Sequence, residues 1–427
     1  MQDTGRPPAQ PLSGRFSGLW RPPDFMKLWT GQTLSTLGSH ITGSGLPLAA
    51  LLVLSASPAQ MGALAAVGSF PVLLVGLVAG VWADRLRRRP IMIAADLLRA
   101  LLLLTIPVAA FFGRLDIAQL YLVAALAGVL TVFFDVAYQA YLPTLVERAN
   151  VMEGNAKLTL SSSSAEVVGP GLAGVLVQAL TVPVAILFDA LSFLVSVGSL
   201  ALIRKPEPPP APVEERRHAL AEMRVGLGWV AGQPLLRAFA ASAATRSFFG
   251  NFFAALYGLY AIRVLGLGPA ALGITIGAGG AGGVVGALLA GRLSSKLRLG
   301  TVLIGSLIFS NLMGFFIPLA GGPVLLAMAC LIVGQFFGDS ADTVYAINER
   351  SLRQSIIPDR LLGRVNASMQ LLQLGVAPLG ALAGGLLAGQ IGVRATVWLA
   401  VGGQLLGILP LLLSQVKALR EAPSVVE

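Results

Sequence analysis

Residues 80–89 read GVWADRLRRR, a charged segment between two apolar runs near 60–82 and 90–112. A bilayer core about 30 Å thick needs roughly 20 helical residues to cross it, and both runs are long enough. Runs of similar length recur along nearly the whole chain, broken by short turns rich in Gly, Pro and charge. We predict twelve spans, of which the other ten lie near 28–54, 117–141, 157–180, 183–203, 237–262, 269–291, 299–320, 323–345, 363–390 and 395–416. The sequence therefore predicts an all-α integral membrane protein with twelve transmembrane helices.

The composition excludes a soluble globular enzyme. Of the 427 residues, 55% are hydrophobic and 12% are charged, whereas soluble domains carry about 25% charged residues. The single cysteine, Cys330, excludes an internal disulfide and a cysteine-built metal site, and two histidines are too few for a His-rich one. The chain has no Gly-x-x-x-x-Gly-Lys-Ser/Thr loop to cradle the phosphates of ATP. We therefore expect neither an enzyme nor a bound cofactor or metal.

The basic residues predict the orientation of the chain. The net charge of +10 comes from 30 Lys and Arg against 20 Asp and Glu. If both termini face the cytoplasm, the outer loops hold only Arg114, Arg263 and Arg394, while Arg99 and Arg246 fall inside spans. The other 25 of the 30 basic residues then face the cytoplasm, as the positive-inside rule favours. We expect a protein of the cytoplasmic (inner) membrane with cytoplasmic termini, basic loops against anionic lipid and no nucleic-acid partner.

A change of composition divides the spans into two groups of six. Residues 204–212 read RKPEPPPAP, a stiff extended stretch, and residues 213–230 alternate charged and apolar residues as an amphipathic helix on the membrane surface would. The expected organisation has cytoplasmic tails at 1–26 and 417–427, six-helix halves at 27–203 and 235–416, and a cytoplasmic linker at 204–234.

The two halves resemble each other in sequence. Residues 79–87 (AGVWADRLR) align with residues 290–298 (AGRLSSKLR) at an offset of 211, and the same offset carries the Asn-Ala pair at 155–156 to the pair at 366–367. A constant offset over this distance indicates duplication. Parallel repeats of this kind occur in transporters that rock one half against the other about a central site.

The 80–89 segment resembles the signature loop of the major facilitator superfamily, which reads Gly, three residues, Asp-Arg, one residue, then Gly-Arg-Arg. Residues 134–137 (FDVA), followed by a Leu-Pro pair at 142–143, and residues 189–193 (DALSF) are similar to the branch that contains the enterobactin exporter and macrolide-efflux proteins. The resemblance implies the two-half fold with a central cavity lined by spans 1, 4, 5, 7, 10 and 11. It also implies that Gly80, Asp84, Arg85, Arg88 and Arg89 form a loop that latches one conformation of the transport cycle. The alternative is that the arginines only anchor the loop on anionic lipid.

Several acids fall inside the predicted spans. An ionised carboxylate at the bilayer centre costs about 2.5–3.5 kcal/mol on insertion scales, so each should face protein or a water-filled cavity. The candidates for proton coupling or for the cavity are Asp96, Asp135, Glu166 and Asp189. Glu166, three residues before a Gly-Pro pair, is the leading candidate, and an interhelical hydrogen bond is the alternative. Asp96 and Arg99 share a helix face and favour a structural ion pair, whereas Asp189 is equally compatible with a structural or a proton-bearing role.

Other polar groups and helix breakers also point to a cavity. Arg246 lies mid-span, where we expect it to pair with an acid or with an anionic substrate. His40 is a candidate proton shuttle or a simple hydrogen-bonding group. A helix-kink motif at Gly169, Pro170 and Gly174 resembles the antiporter motif of the superfamily, which occurs in exporters more than importers, and Pro378 marks its counterpart; packing of small residues is the alternative. Asp339 and Asp342 share a face nearer the cytoplasmic end, where solvation alone would explain them.

Together these features predict a secondary active transporter. The expected function is proton-coupled efflux of an amphipathic small molecule, a drug or a siderophore, by alternating access. The expected partners are this small-molecule substrate, protons and membrane lipid, and the expected state is a monomer. The alternatives are an importer or a lipid flippase on the same fold, or a non-transporting membrane scaffold or sensor.

The latch hypothesis predicts the effect of one substitution. Asp84→Asn should abolish transport while leaving the protein in the membrane, because the latch requires the carboxylate. A loop that only anchored on anionic lipid would not require it. Transport and membrane abundance are measured on the same cells. Normal transport by this variant would contradict the latch.

Overall fold

The structure is a computed structural model that describes residues 22–207 and 219–420. Within these ranges the chain forms helices joined by short turns, and no strand occurs. The first half contains α1 (Pro23–Leu48), α2 (Pro58–Arg85), α3 (Arg88–Phe111), α4 (Ile117–Leu145), α5 (Val151–Ala179) and α6 (Val182–Ala201). After α7 (Ala219–Gly232), the second half contains α8 (Pro234–Leu259), α9 (Pro269–Lys296), α10 (Leu299–Gly314), its short continuation α11 (Phe316–Leu319), α12 (Val324–Ile356), α13 (Asp359–Ile391), α14 (Val393–Leu406) and α15 (Leu409–Leu412).

Ten helical segments of the described chain are long and apolar enough to cross a membrane. Helices α2 and α8 occupy the other two positions of the predicted twelve. Much of the C-terminal half of α2 has side chains outside the described part of the chain, and α8 has 26 residues that include Arg246, Ser247 and Asn251. The prediction of an all-α membrane fold with two six-helix halves is confirmed.

Proline and capping side chains set several helix starts. Helices α1, α2, α8 and α9 each begin at a proline, whose fixed φ and missing N–H suit the first helical turn. Asp116 caps α4, since its carboxylate accepts a hydrogen bond from the Ala118 N–H at 3.1 Å. Helices α12 and α13 have 33 residues each, so they extend beyond the predicted spans 323–345 and 363–390.

The helix bounds repeat at the offset found in the sequence. Matching helices of the two halves begin 211 residues apart, at Pro58 and Pro269 (269 − 58 = 211), Arg88 and Leu299, and Val182 and Val393. Helices α1 and α8 also end alike, in π-helical turns at Ala49–Val53 and Tyr260–Val264. The duplication is therefore visible in the backbone as well as in the sequence.

Glycine brings helices close together inside each half. In the second half α9 packs against α12, and a side chain on Gly282 or Gly286 would collide with the backbone carbonyls of Phe336 and Ser340. Helix α7, which lies in the predicted linker, packs on α13, where Arg364 and Glu222 form an ion pair at 3.2 Å. The linker helix is thus attached to the second half.

The halves meet mainly along two pairs of helices, α5 with α9 and α2 with α13, and α2 also contacts α8. Their closest approaches lie at one end of the bundle, where α5 and α13 finish and where α2 and α9 start. Gly174 of α5 lies against the Pro269 carbonyl, and Gly385 of α13 lies against Gly62 of α2. We call this end the closed end.

Hydrogen bonds between the halves seal the closed end. The Arg263 guanidinium, at the end of α8, donates to the Ala56 carbonyl at 2.8 Å and to the Leu51 carbonyl at 3.3 Å, both in the first half. The Gln178 side-chain oxygen of α5 accepts from the Ala270 N–H of α9 at 3.1 Å. The Arg263 side chain therefore joins the halves through charge-assisted bonds.

The α9–α12 contact predicts a loss of stability in Gly282→Ala. The added methyl group must displace the α12 backbone, which should lower stability by about 1–3 kcal/mol, seen as a lower thermal unfolding midpoint of the purified protein. Gly291→Ala on the same helix is the control, since nothing lies within 4 Å of the added methyl group. Equal midpoints for the two variants would contradict this packing.

The hydrogen bonds of Arg263 at the closed end predict the effect of a second substitution. Arg263→Ala removes bonds of a kind that contributes about 1.5–3 kcal/mol each, so the closed end should open more often. Spin labels at Phe112→Cys and Leu319→Cys, in a Cys330→Ser background, should report a larger population of long distances. Arg237→Ala, near the opposite end of α8, is the control. An unchanged distance distribution in Arg263→Ala would show that this residue does not hold the seal.

Candidate functional site

A cavity of about 1100 Å³ lies between the halves. Its walls come from the first part of α5, from the middle and last part of α9, and from α12, with His40 of α1. Beyond Pro170, α5 runs into contact with α9 at Gly273, which blocks the cavity on the side of the closed end. The cavity therefore lies toward the opposite end of the bundle, where α5 begins.

Carboxylates from both halves line this cavity. Glu166 comes from α5, while Asp339 and Asp342 come from α12. Asp342 is ion-paired with Arg246, whose guanidinium lies 5.1 Å from the centre of the Tyr345 ring. Glu166 and Asp339 are exposed to the cavity, and neither makes a hydrogen bond or an ion pair to another residue within 22–207 or 219–420.

A second group of charges lies inside the first half. Asp96 and Arg99 form an ion pair and are 0% and 5% exposed. The Arg99 guanidinium lies between the rings of Phe134 and Phe193, 4.5 and 4.3 Å from their centres. Such aromatic faces attract a desolvated cation and so help to hold this arginine away from water.

Two further acids adjoin this buried ion pair. Asp189 is 1% exposed, and its carboxylate accepts a hydrogen bond from the Ser192 hydroxyl at 3.1 Å. Asp135 lines a side pocket of about 230 Å³, and it is close enough to Arg99 to interact electrostatically. Asn155 and Thr159 line both the side pocket and the central cavity, so Asp135 lies in a pocket that adjoins the cavity.

The helix-kink residues lie where α5 contacts both α1 and α9. Gly169 and Pro170 are buried in α5, and Gly169 packs against His40. Gly174, one turn further along, lies in the seal at the closed end. Pro378 is buried within α13, the helix of the second half that packs against α2 of the first half. The motif thus lies at the junction of the cavity and the seal.

The described arginines of the charged loop contact the end of α6 and the segment that follows it. The Glu207 carboxylate accepts from the backbone N–H groups of Arg88 at 2.7 Å and Arg89 at 3.2 Å, and so caps the N-terminus of α3. The Arg89 guanidinium donates to the carbonyls of Leu200 and Ala201 at the end of α6. Of the other latch residues, Gly80, Asp84 and Arg85 belong to α2, and their side chains lie outside the described part of the chain.

No sequence signal marks some of the residues that form the seal, the loop contacts and the cavity wall. In the sequence Arg263 is only an outer-loop charge, and Glu207 is only part of a Pro-rich linker. The structure places Asp339 and Asp342 in the cavity wall, whereas their position near a predicted span end suggested simple solvation. Among the described residues, no group of three or more His, Cys, Asp or Glu side chains is arranged to hold a metal ion.

Comparison with known proteins agrees with this architecture. The sequence profile of the Major Facilitator Superfamily matches residues 28–373. The multidrug efflux pump Tap of Mycolicibacterium fortuitum is 28% identical over 398 residues, which cover 88% of this chain and 93% of Tap. The enterobactin exporter EntS of Citrobacter koseri is 27% identical over 408 residues, covering 94% of this chain and 95% of EntS.

A solved structure shows the same fold. The crystal structure of a bacterial homologue of the human lysosomal transporter Spinster, in an inward-facing and unoccupied conformation, superimposes with a TM-score of 0.71 at 14% identity. The match covers 94% of this chain and 99% of that one. The family resemblance expected from the 80–89 loop is confirmed, and the chain, a membrane transporter and not an enzyme, belongs to the Major Facilitator Superfamily.

Proposed function

We propose that this transporter exports an amphipathic small molecule, a drug or a siderophore, in exchange for protons by alternating access. The observation that carries the proposal is the cavity, which is sealed toward one end and lined by carboxylates from both halves. Relatives named as an efflux pump and an exporter support the outward direction.

The distribution of basic residues orients the cavity in the membrane. The positive-inside rule assigns the side with the chain termini and the 80–89 loop to the cytoplasm, and that side is opposite the closed end. In this orientation the described state receives its substrate from the cytoplasm. Rearrangement about the α5–α9 and α2–α13 contacts would then open the cavity to the outside.

Acids near the cavity provide candidate proton carriers. Glu166 lies in the cavity wall, Asp135 lies on the side pocket that joins it, and Asp189 is buried behind it. Burial in a low-dielectric medium disfavours the charged form of a carboxyl group, so a buried acid can bind a proton in one state and release it in another. Linkage requires that protons and substrate prefer different states of the transporter.

Transport by inside-out membrane vesicles tests this function. With a proton gradient that is acidic inside, vesicles containing the protein should accumulate at least one of three probes: ethidium, enterobactin or the neutral dye N-phenylnaphthylamine. Accumulation should stop when an ionophore collapses the gradient, because proton flow supplies the driving force. Control vesicles lack the protein.

Gradient-driven loss of the probes from these vesicles would instead identify an importer. The absence of gradient-dependent flux for every probe would favour a non-transporting role. Measurement of proton movement with Glu166→Gln tests the coupling role, since unchanged substrate-driven proton flux would remove Glu166 from the coupling mechanism.

A further inference from the structure

We propose that the central cavity selects a cationic amphipathic solute, whose positive charge is held between Glu166 of the first half and Asp339 of the second. This proposal rests on the proposed transport function and adds the charge class of the substrate. It assigns to these two carboxylates the role of binding residues that determine specificity.

The charges on the cavity wall are predominantly negative. Glu166, Asp339 and Asp342 line the cavity, and no Lys or Arg is found among the lining residues of the described chain. Arg246 reaches Asp342 and is ion-paired with it, so one acid is neutralised within the protein. His40 also lines the cavity, and an imidazole is ordinarily neutral above about pH 7.

The two remaining carboxylates make no ion pair within the described chain, and Glu166 interacts electrostatically with His40. Glu166 and Asp339 are exposed to the cavity, and neither is hydrogen-bonded or ion-paired to any residue that the structure describes. They are close enough to interact electrostatically with each other. Gly279 lets the Asp339 carboxylate lie directly against α9, because a side chain there would collide with it. The acids on the two halves are therefore available to a ligand.

The rest of the wall suits an amphipathic molecule. Apolar side chains surround the acids, including Leu160, Val167, Ile276, Val284 and Leu288. A cleft with low-dielectric walls and charges of one sign concentrates ions of the opposite sign. An anionic solute of the same size would meet repulsion from both carboxylates, and no described lining residue other than His40 could offer it a positive charge.

The position of the acids on opposite halves links binding to movement. Closure of the cavity around empty space would bring two negative charges together, at an energetic cost that grows as they approach. A cation between them converts this repulsion into attraction to both halves. The cation therefore binds the occluded cavity more tightly than the open one. This is the difference in affinity between states that transport requires.

Binding of two probes of nearly equal size and opposite charge tests the proposal. The full-length protein in nanodiscs is titrated with tetraphenylphosphonium and, separately, with tetraphenylborate. We expect the phosphonium to bind at least tenfold more tightly than the borate. Glu166→Gln and Asp339→Asn should each weaken phosphonium binding at least tenfold, while the charge-conserving Glu166→Asp and Asp339→Glu should retain most of it.

Matched controls remove charge elsewhere. Glu147→Gln and Asp359→Asn alter exposed acids outside the cavity and should leave phosphonium binding unchanged. Equal binding of the borate and the phosphonium would overturn the proposal, as would full phosphonium affinity in both neutral variants. Thermal unfolding of each variant establishes that it is folded, and the charge-conserving pair tests the proposal if a neutral variant does not fold.

Failure of this proposal is distinguishable from failure of the export function. Gradient-driven transport of enterobactin or of the neutral dye, without phosphonium binding, would overturn the cation site and leave export intact. Phosphonium binding that depends on Glu166 and Asp339, without gradient-driven flux of any probe, would support the cation site and contradict export.

Discussion

The cost of placing charge in a hydrocarbon medium governs this structure. Two arrangements of charged groups are prominent within the bundle, beside the hydrogen-bonded Asp189 and the pocket-lining Asp135. Asp96 with Arg99, and Asp342 with Arg246, form ion pairs inside one half. Glu166 and Asp339 instead face a cavity between the halves. The first arrangement stabilises each half as a unit, and the second requires a space that only two halves can enclose.

The contacts within each half differ in kind from the contacts between the halves. Separating the buried Asp96 and Arg99 would leave an uncompensated charge, so this pair opposes rearrangement within the first half. Contacts between the halves are of another kind: glycines that allow backbones to touch, and side-chain bonds to backbone groups at one end. Such contacts can part as a set while the halves stay intact, as alternating access demands.

Much of the fold could be predicted from the sequence. The lengths of the apolar runs predict the spans, and the offset of 211 predicts the two-half repeat. The Asp96–Arg99 contact follows from spacing on one helix. The contact of Arg246 with Asp342 does not, since 96 residues separate them and several acids were possible partners. The cavity position of Asp339 depends on the close packing of α9 on α12. The glycine content of α9 suggests close packing but does not show which helix lies against it. The seal by Arg263 uses backbone carbonyls, and carbonyls carry no residue-specific signal.

The turn that ends α8 also records how the duplicated halves diverged. The repeat offset places Leu52 at the position of Arg263 (263 − 211 = 52), within the matching π-helical turn of the first half. An arginine in both copies would set two like charges near each other at a narrow contact. In this chain the second half supplies the donor, and the first half supplies the carbonyls that accept. The halves have therefore diverged at this turn, and a chain assembled from two copies of the first half would lack the arginine that forms this bond.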